Sequence, residues 1–368
     1  MKKTFVVILA ILLSIAVLAG CTSKPAAQAP AAEAPAAEAP AAEAPAAEAP
    51  APAADFVKAA DIVAPPGKTL KDLPVDQVAD RPLKIATIMV QNNPFGAAVL
   101  YGQNFSKEVL SDRNCTVDCL SVEDFDAQKW VTVVENCIAA GYDAICFMGL
   151  SEAMIPVTNK GVDAGILMFV FNGDSGEGSR RQAFFGQEHL DGGGQCGTAL
   201  EEEMGGSGKY GIITGDFSVL SHEQRRTGAR TVLDKNPNMK LVGEWMNNDK
   251  MEEAYTLTTD MMTANPDLGG VYVTAGGPSG AAKAVEDAGK AGVIKVVCHD
   301  VLAESAPYIA SGTIQACLDQ DPFNQGYHPV VAAFNQLVAG IVPAEYNWYE
   351  GVMARPNTVK DLFPELFN

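Results

Sequence analysis

From Arg81 onward, apolar residues alternate between two periodicities. Residues 85–90, Ile-Ala-Thr-Ile-Met-Val, form a near-continuous apolar run, which predicts a strand covered on both faces. The run stops at the polar turn Gln91-Asn92-Asn93-Pro94, and a helix starts at once with Val99, Phe105, Val109 and Leu110 at helical spacing. The same alternation continues with strands at 115–122, 144–149, 166–171 and 183–185, and helices at 127–140, 153–164 and 190–204. A second series then begins, with strands at 210–214, 240–245, 270–274 and 295–299 separated by helices at 222–235, 252–264 and 280–288. Two βαβα runs in tandem predict an α/β protein of two doubly wound parallel-sheet lobes with a cleft between them. The tail adds a helix at 303–311, a strand at 313–319 and a long helix from Pro322 to about Ala339.

Ligands of such sheets bind just beyond the carboxyl ends of the strands, which is where Gln91, Asn92, Asn93 and Phe95 would stand. Amides beside an exposed ring suit a neutral polyhydroxylated ligand. Asn93-Pro94 reads equally well as the cap and first residue of the helix.

The first 54 residues belong to neither lobe. Lys2 and Lys3 precede the apolar run 5–19, which ends in Leu18-Ala19-Gly20-Cys21, so residues 1–20 read as a secretory signal peptide too short to span a bilayer. A cysteine directly after Leu-Ala-Gly resembles the lipobox of bacterial lipoproteins, which implies lipidation of Cys21 and an extracytoplasmic chain anchored to the cell membrane. Residues 22–54 repeat Ala-Ala-Glu-Ala-Pro, with proline at 30, 35, 40, 45 and 50. Regular proline prevents a lasting helix, and without large apolar side chains the segment reads as a semi-extended spacer. We therefore take 21–80 as anchor and linker, and the folded lobes as 81–187 plus 321–349 and 188–320 plus 350–368.

The formal charge is −19, and loss of Lys2 and Lys3 with the leader takes the mature chain to −21. That balance excludes nucleic acid as a partner, which needs clustered Lys and Arg. Seven cysteines remain besides Cys21; Cys115 and Cys119 share one face of a strand but lie too far apart along it for a disulfide.

The run of elements as a whole resembles the type 1 periplasmic binding protein family, the ribose- and galactose-type solute receptors of ABC importers. Four places carry the likeness: Asn92-Asn93-Pro94-Phe95, Glu223-Gln224-Arg225-Arg226-Thr227-Gly228, His299-Asp300, and Gln320-Asp321-Pro322 with Gln325-Gly326-Tyr327. The resemblance covers residues 83 to 350. It implies a sugar or polyol bound between two closing lobes, delivery to a membrane ABC permease, no cofactor, no enzymatic activity and a monomer. It also implies that Asn93 and Phe95 contact the ligand from the first lobe, that Arg225 forks onto ring hydroxyls, that Asp300 accepts from two of them, and that Gln320 acts at the crossing between lobes. The chain departs from ribose-type receptors where they carry an Asp-Arg pair. Here Asn172-Gly173 stands instead, with Asp174 the available carboxylate, Met148 where an amide is common, and Gly96 in place of a second Phe; the ligand expected is not ribose. Trp245 and Thr274 end second-lobe strands and join the candidate contacts. The family's three crossings fall near 187–188, 320–321 and 349–351, giving a three-segment hinge.

Two other readings compete. Gly192-Gly193-Gly194-Gln195-Cys196-Gly197 matches G-x-G-x-x-G with Asp216 about 20 residues on, as a dinucleotide-binding enzyme requires. The glycines, however, do not follow straight off a strand, and the bland alternative is a helix start packed at the interlobe crossing. The other rival is a sensor whose closed form docks on a membrane receptor. His189, His222, His299 and His328 are each isolated, so no metal site is expected, although His222 and His299 flank loops that face the cleft.

Overall fold

The computed structural model describes residues 55–90 and 93–367. The signal peptide, Cys21, the repeat spacer, Gln91 and Asn92 lie outside the described residues.

The first lobe runs β1 (Leu83–Val90), α1 (Pro94–Leu110), β2 (Cys115–Val122), α2 (Ala127–Ala139), β3 (Ala144–Met148), α3 (Ile155–Asp163), β4 (Leu167–Phe171) and β5 (Ala183–Gly186). The second runs α4 (His189–Glu203), β6 (Gly208–Thr214), α5 (Leu220–Leu233), β7 (Met239–Met246), α6 (Met251–Ala264), β8 (Leu268–Val273), α7 (Pro278–Asp287), β9 (Lys295–His299), α8 (Ala306–Ser311) and β10 (Ile314–Asp319). The chain then returns to the first lobe with α9 (Pro322–Ala339) and β11 (Tyr346–Trp348), and ends in the second with β12 (Val352–Ala354) and α10 (Val359–Leu362).

Each sheet has six strands, in the orders β11-β5-β4-β3-β1-β2 and β12-β10-β9-β8-β6-β7. All pairings are parallel except β10 with β12. Strands such as β3, wholly buried and apolar from Ala144 to Met148, are covered on both faces, which is why their sequences do not alternate. The chain passes between sheets after β5, after β10 and between β11 and β12. At the last passage Tyr349 is buried and its N–H donates to Gly186 O at 2.8 Å, which binds the third crossing to the first.

Residues 55–80 correct the linker boundary, because this stretch packs on the folded body. Lys71 N donates to Asn324 Oδ1 at 3.1 Å, Asn324 Nδ2 to Thr69 O at 2.8 Å, and Val75 N to Asn335 Oδ1 at 2.8 Å, so the segment runs along α9. Lys68 then pairs with Glu365 at 2.8 Å, beside Phe363 and Leu366 on the second lobe's core. The segment carries almost no helix or strand, and its main chain is held by side chains some 250 residues away; hydrophobic periodicity cannot register that. Among the described residues the seven cysteines are unpaired, and no helix is long and apolar enough to cross a membrane.

Candidate functional site

A cavity lies between the lobes at the carboxyl ends of both sheets. Its walls are the residues that follow strands: Met148 at the end of β3, Asn172 after β4, Asp249 after β7, Ala275 and Gly276 after β8, His299 and Asp300 at β9, and Gln320 after β10. The amino-terminal turn of α1 adds Asn93, Pro94 and Phe95, α5 adds His222 and Arg225, and Phe125 and Glu304 close the sides. Asn172, Asp249 and Asp300 all have left-handed backbone, with φ of 59°, 56° and 71°. Asn and Asp tolerate that region best, and such outliers concentrate at binding sites.

Arg225 is fully buried and uses two of its three nitrogens internally. Nε donates to His189 Nδ1 at 3.1 Å and Nη1 to Thr274 O at 3.0 Å, while Nη2 has no protein partner. His189 Nε2 donates to Asn172 O at 2.6 Å. The Asn172 amide donates to Gln320 Oε1 and Gln325 Oε1, both at 3.1 Å, and Gln320 Nε2 donates to Asp300 Oδ1 at 2.7 Å. His222 Nδ1 accepts from Asp216 N at 3.1 Å, which places its hydrogen on Nε2. His299 Nδ1 and Asp249 Oδ2 are also buried without a protein partner. The cavity therefore presents an unmet guanidinium donor, a carboxylate acceptor and an imidazole nitrogen from one lobe, facing two phenylalanine rings from the other. Such a set complements a small ligand that both donates and accepts hydrogen bonds.

Burial, followed by the nearby Arg225 charge, holds His189 and His299 well below the ordinary histidine range; burial leads for His222 too, so all three are neutral. Burial raises Asp300, against the opposing pull of Arg225 and the Gln320 hydrogen bond, and it raises Glu304. The lobes meet across the cavity. Leu220 N donates to Leu150 O at 2.9 Å, and Phe125 meets His222 edge-on at 5.8 Å.

Of the residues singled out in the sequence, Asn93, Phe95, Asn172, Arg225, Asp300 and Gln320 line this cavity. Asn93 also caps α1, its Oδ1 accepting from Gly96 N at 2.6 Å, as the capping reading of Asn93-Pro94 expects. Three candidates are not brought there. Asp174 is committed to Arg181, with contacts of 2.8 and 2.5 Å, and does not replace the missing carboxylate. Trp245 lies over Gly243 on β7 and packs on the second lobe's core, because the ring points along the sheet rather than into the cleft. Thr274 sits beneath the cavity: its hydroxyl donates to Thr214 Oγ1 at 3.0 Å and its carbonyl steadies Arg225. Phe125, Asp249 and Glu304 went unnoticed in the sequence, although Asp249 follows a strand end and was open to the same rule as Asp300.

The glycine run does not follow a strand but falls in the amino-terminal turns of α4, packed at the crossing, where a Cβ at Gly192 would strike the Gln187 side chain. Gly192 to Gly197 lie inside α4, whose cap is Glu188. A Cβ at Gly193 would strike the Arg225 carbonyl and one at Gly228 the Leu190 carbonyl, so the glycines let α4 and α5 touch backbone to backbone. That approach is what brings Arg225 within reach of His189.

Comparison with known proteins gives a consistent set of relatives. Residues 88–340 match the model of a periplasmic binding protein domain. The chain is 29% identical over 245 residues to a D-ribose/D-allose-binding protein of Pseudomonas aeruginosa, covering 64% of this chain and 74% of that one. It is 26% identical over 245 residues to the D-allose-binding periplasmic protein of Escherichia coli, covering 64% and 78%. Among solved structures, an ABC transporter periplasmic solute-binding protein from Actinobacillus succinogenes with bound D-allose superposes with a TM-score of 0.69 at 26% identity, covering 76% of this chain and 99% of that one.

Proposed function

The chain belongs to the periplasmic binding protein domain family, and on that footing we propose that it is the solute-binding component of a sugar ABC importer, closing two lobes on a neutral sugar or polyol outside the cytoplasm. The observation that carries this reading is the pairing of unmet polar atoms at Arg225, Asp249 and His299 with the rings of Phe95 and Phe125 around one interlobe cavity. A sugar has hydroxyls that donate and accept around its edge and an apolar face for a ring to cover, so one pyranose or furanose satisfies both kinds of wall.

The three crossings act as the hinge, and the interlobe contacts of Leu220 and Phe125 belong to the shut form, which ligand contacts from both lobes favour. The lipobox-like Leu18-Ala19-Gly20-Cys21 supports anchoring by a lipidated Cys21, with the alanine- and proline-rich segment as tether and a membrane permease as the partner that takes the sugar. The receptor acts as a monomer and performs no chemistry on its ligand. Thermal unfolding against pentoses, hexoses, polyols and a nicotinamide dinucleotide tests the reading. A saturable rise with one sugar or polyol supports it, and a rise with the dinucleotide alone overturns it.

A further inference from the structure

His189 does not line the cavity, yet it is buried and bonded through both ring nitrogens. Arg225 Nε can only donate, so His189 Nδ1 accepts; the ring hydrogen is therefore on Nε2, which donates to the Asn172 carbonyl. One tautomer satisfies both bonds, and neither its alternative nor the imidazolium does. We infer that His189 is a positioning residue that fixes the Arg225 guanidinium for ligand and ties its orientation to the first lobe through Asn172. The inference rests on Arg225 being a ligand contact, as proposed above.

The geometry leaves few substitutes for this bond. Arg225 has one other internal anchor, Thr274 O on Nη1, and a planar guanidinium held at a single point can swing about it. The backbone contact at Gly193 fixes where the helix lies, not where the side chain points. Asn172 also donates through its side chain to Gln320, which holds Asp300. Two of the charged second-lobe groups that line the cavity are thus referred to one first-lobe residue, Arg225 through His189 and Asp300 through Gln320. A displacement of the first lobe at Asn172 reaches both.

Three variants separate the two bonds. In His189→Asn the amide oxygen takes the place of Nδ1 and retains the tie to Arg225; in His189→Gln the amide nitrogen reaches toward Asn172 and the tie to Arg225 is lost; His189→Leu loses both. Nitrogen-resolved NMR of the purified chain should show the Nε2–H tautomer at His189 and an Arg225 Nε–H protected from exchange. That protection should survive in His189→Asn and disappear in His189→Gln and His189→Leu. Calorimetric affinity for D-allose as the probe sugar should fall about tenfold or more in His189→Leu, the scale of one charge-assisted hydrogen bond, and recover partly in His189→Asn. An Arg225 Nε–H equally protected in all three variants overturns the inference, because Asn and Gln would then be interchangeable. The nitrogen signals decide this without ligand, so a wild-type chain that binds no sugar refutes the proposed function and leaves the positioning result standing on its own.

Discussion

Gly193 of α4 lies directly against the main-chain carbonyl of Arg225 of α5, with no room for a Cβ between them. The next glycine differs: a Cβ at Gly194 would meet its nearest neighbours at 3.8 Å, an ordinary contact. Gly193→Ala should therefore force the helices apart and cost about 1–3 kcal/mol in denaturant unfolding, with a loss of sugar affinity as Arg225 shifts. Gly194→Ala should be neutral or stabilising by up to about 1 kcal/mol, since alanine is the better helix former. Equal behaviour of the two variants would refute the packing argument.

Asp319 ends β10 just before Gln320 and is buried with the carboxylates of Asp300 and Asp321 nearby; burial, opposed by the Asp321 N–H and reinforced by those charges, pushes its pKa up to about 7. A raised folded value means that the folded state holds the proton more tightly. The associated stability is full below the ordinary carboxylate range near 4 and is lost as pH rises through about 7. Asp319→Asn keeps an oxygen for the Asp321 N–H and removes the titration. Its unfolding free energy should match wild type at pH 4 and exceed it by roughly 2–4 kcal/mol at pH 8. A constant difference across that range would contradict the assignment.

The placement of candidates inside and outside the cavity is open to a paired test. Asp300→Asn replaces a buried carboxylate oxygen that lines the cavity and should weaken sugar binding by about ten- to a hundredfold. Asp174→Asn breaks the ion pair to Arg181 on the first lobe and should leave affinity within about twofold, because neither residue lines the cavity and sites without shared partners act nearly independently. Titration calorimetry on both variants checks the contrast, and a reversed order would relocate the site.

Cys21→Ser should release the chain from membranes into the soluble fraction with its ligand affinity unchanged, since Cys21 precedes the folded residues, which begin at 55, by the whole length of the spacer. Retention on the membrane after fractionation would count against the lipobox reading.

The sheet-and-helix order was legible in the sequence because central strands such as β3 are buried on both faces, and their apolar runs alternate with helical spacing. Four kinds of feature were not. The segment 55–80 has no period to detect. Asp174 sits two residues from Asn172, and only the fold reveals Arg181 as its partner. Trp245 ends a strand as a cleft residue would, but its ring direction is set by the gap over Gly243. His189 looked like an isolated histidine, because both its partners, Asn172 and Arg225, are distant in sequence. Arg225, Asp300 and Gln320 were found because each stands in a recognisable local run at a helix start or strand end.

Thermal unfolding of the wild-type chain against a panel of pentoses, hexoses and polyols tests the central claim most directly. A ligand that binds only the folded state stabilises it by about 2.7 kcal/mol at a hundred times its dissociation constant. The account predicts that one sugar or polyol of the panel raises the unfolding temperature in a saturable way, and that the same sugar at the same concentration raises that of Asp300→Asn clearly less. No saturable rise with any sugar or polyol would contradict it, as would a rise that Asp300→Asn leaves intact.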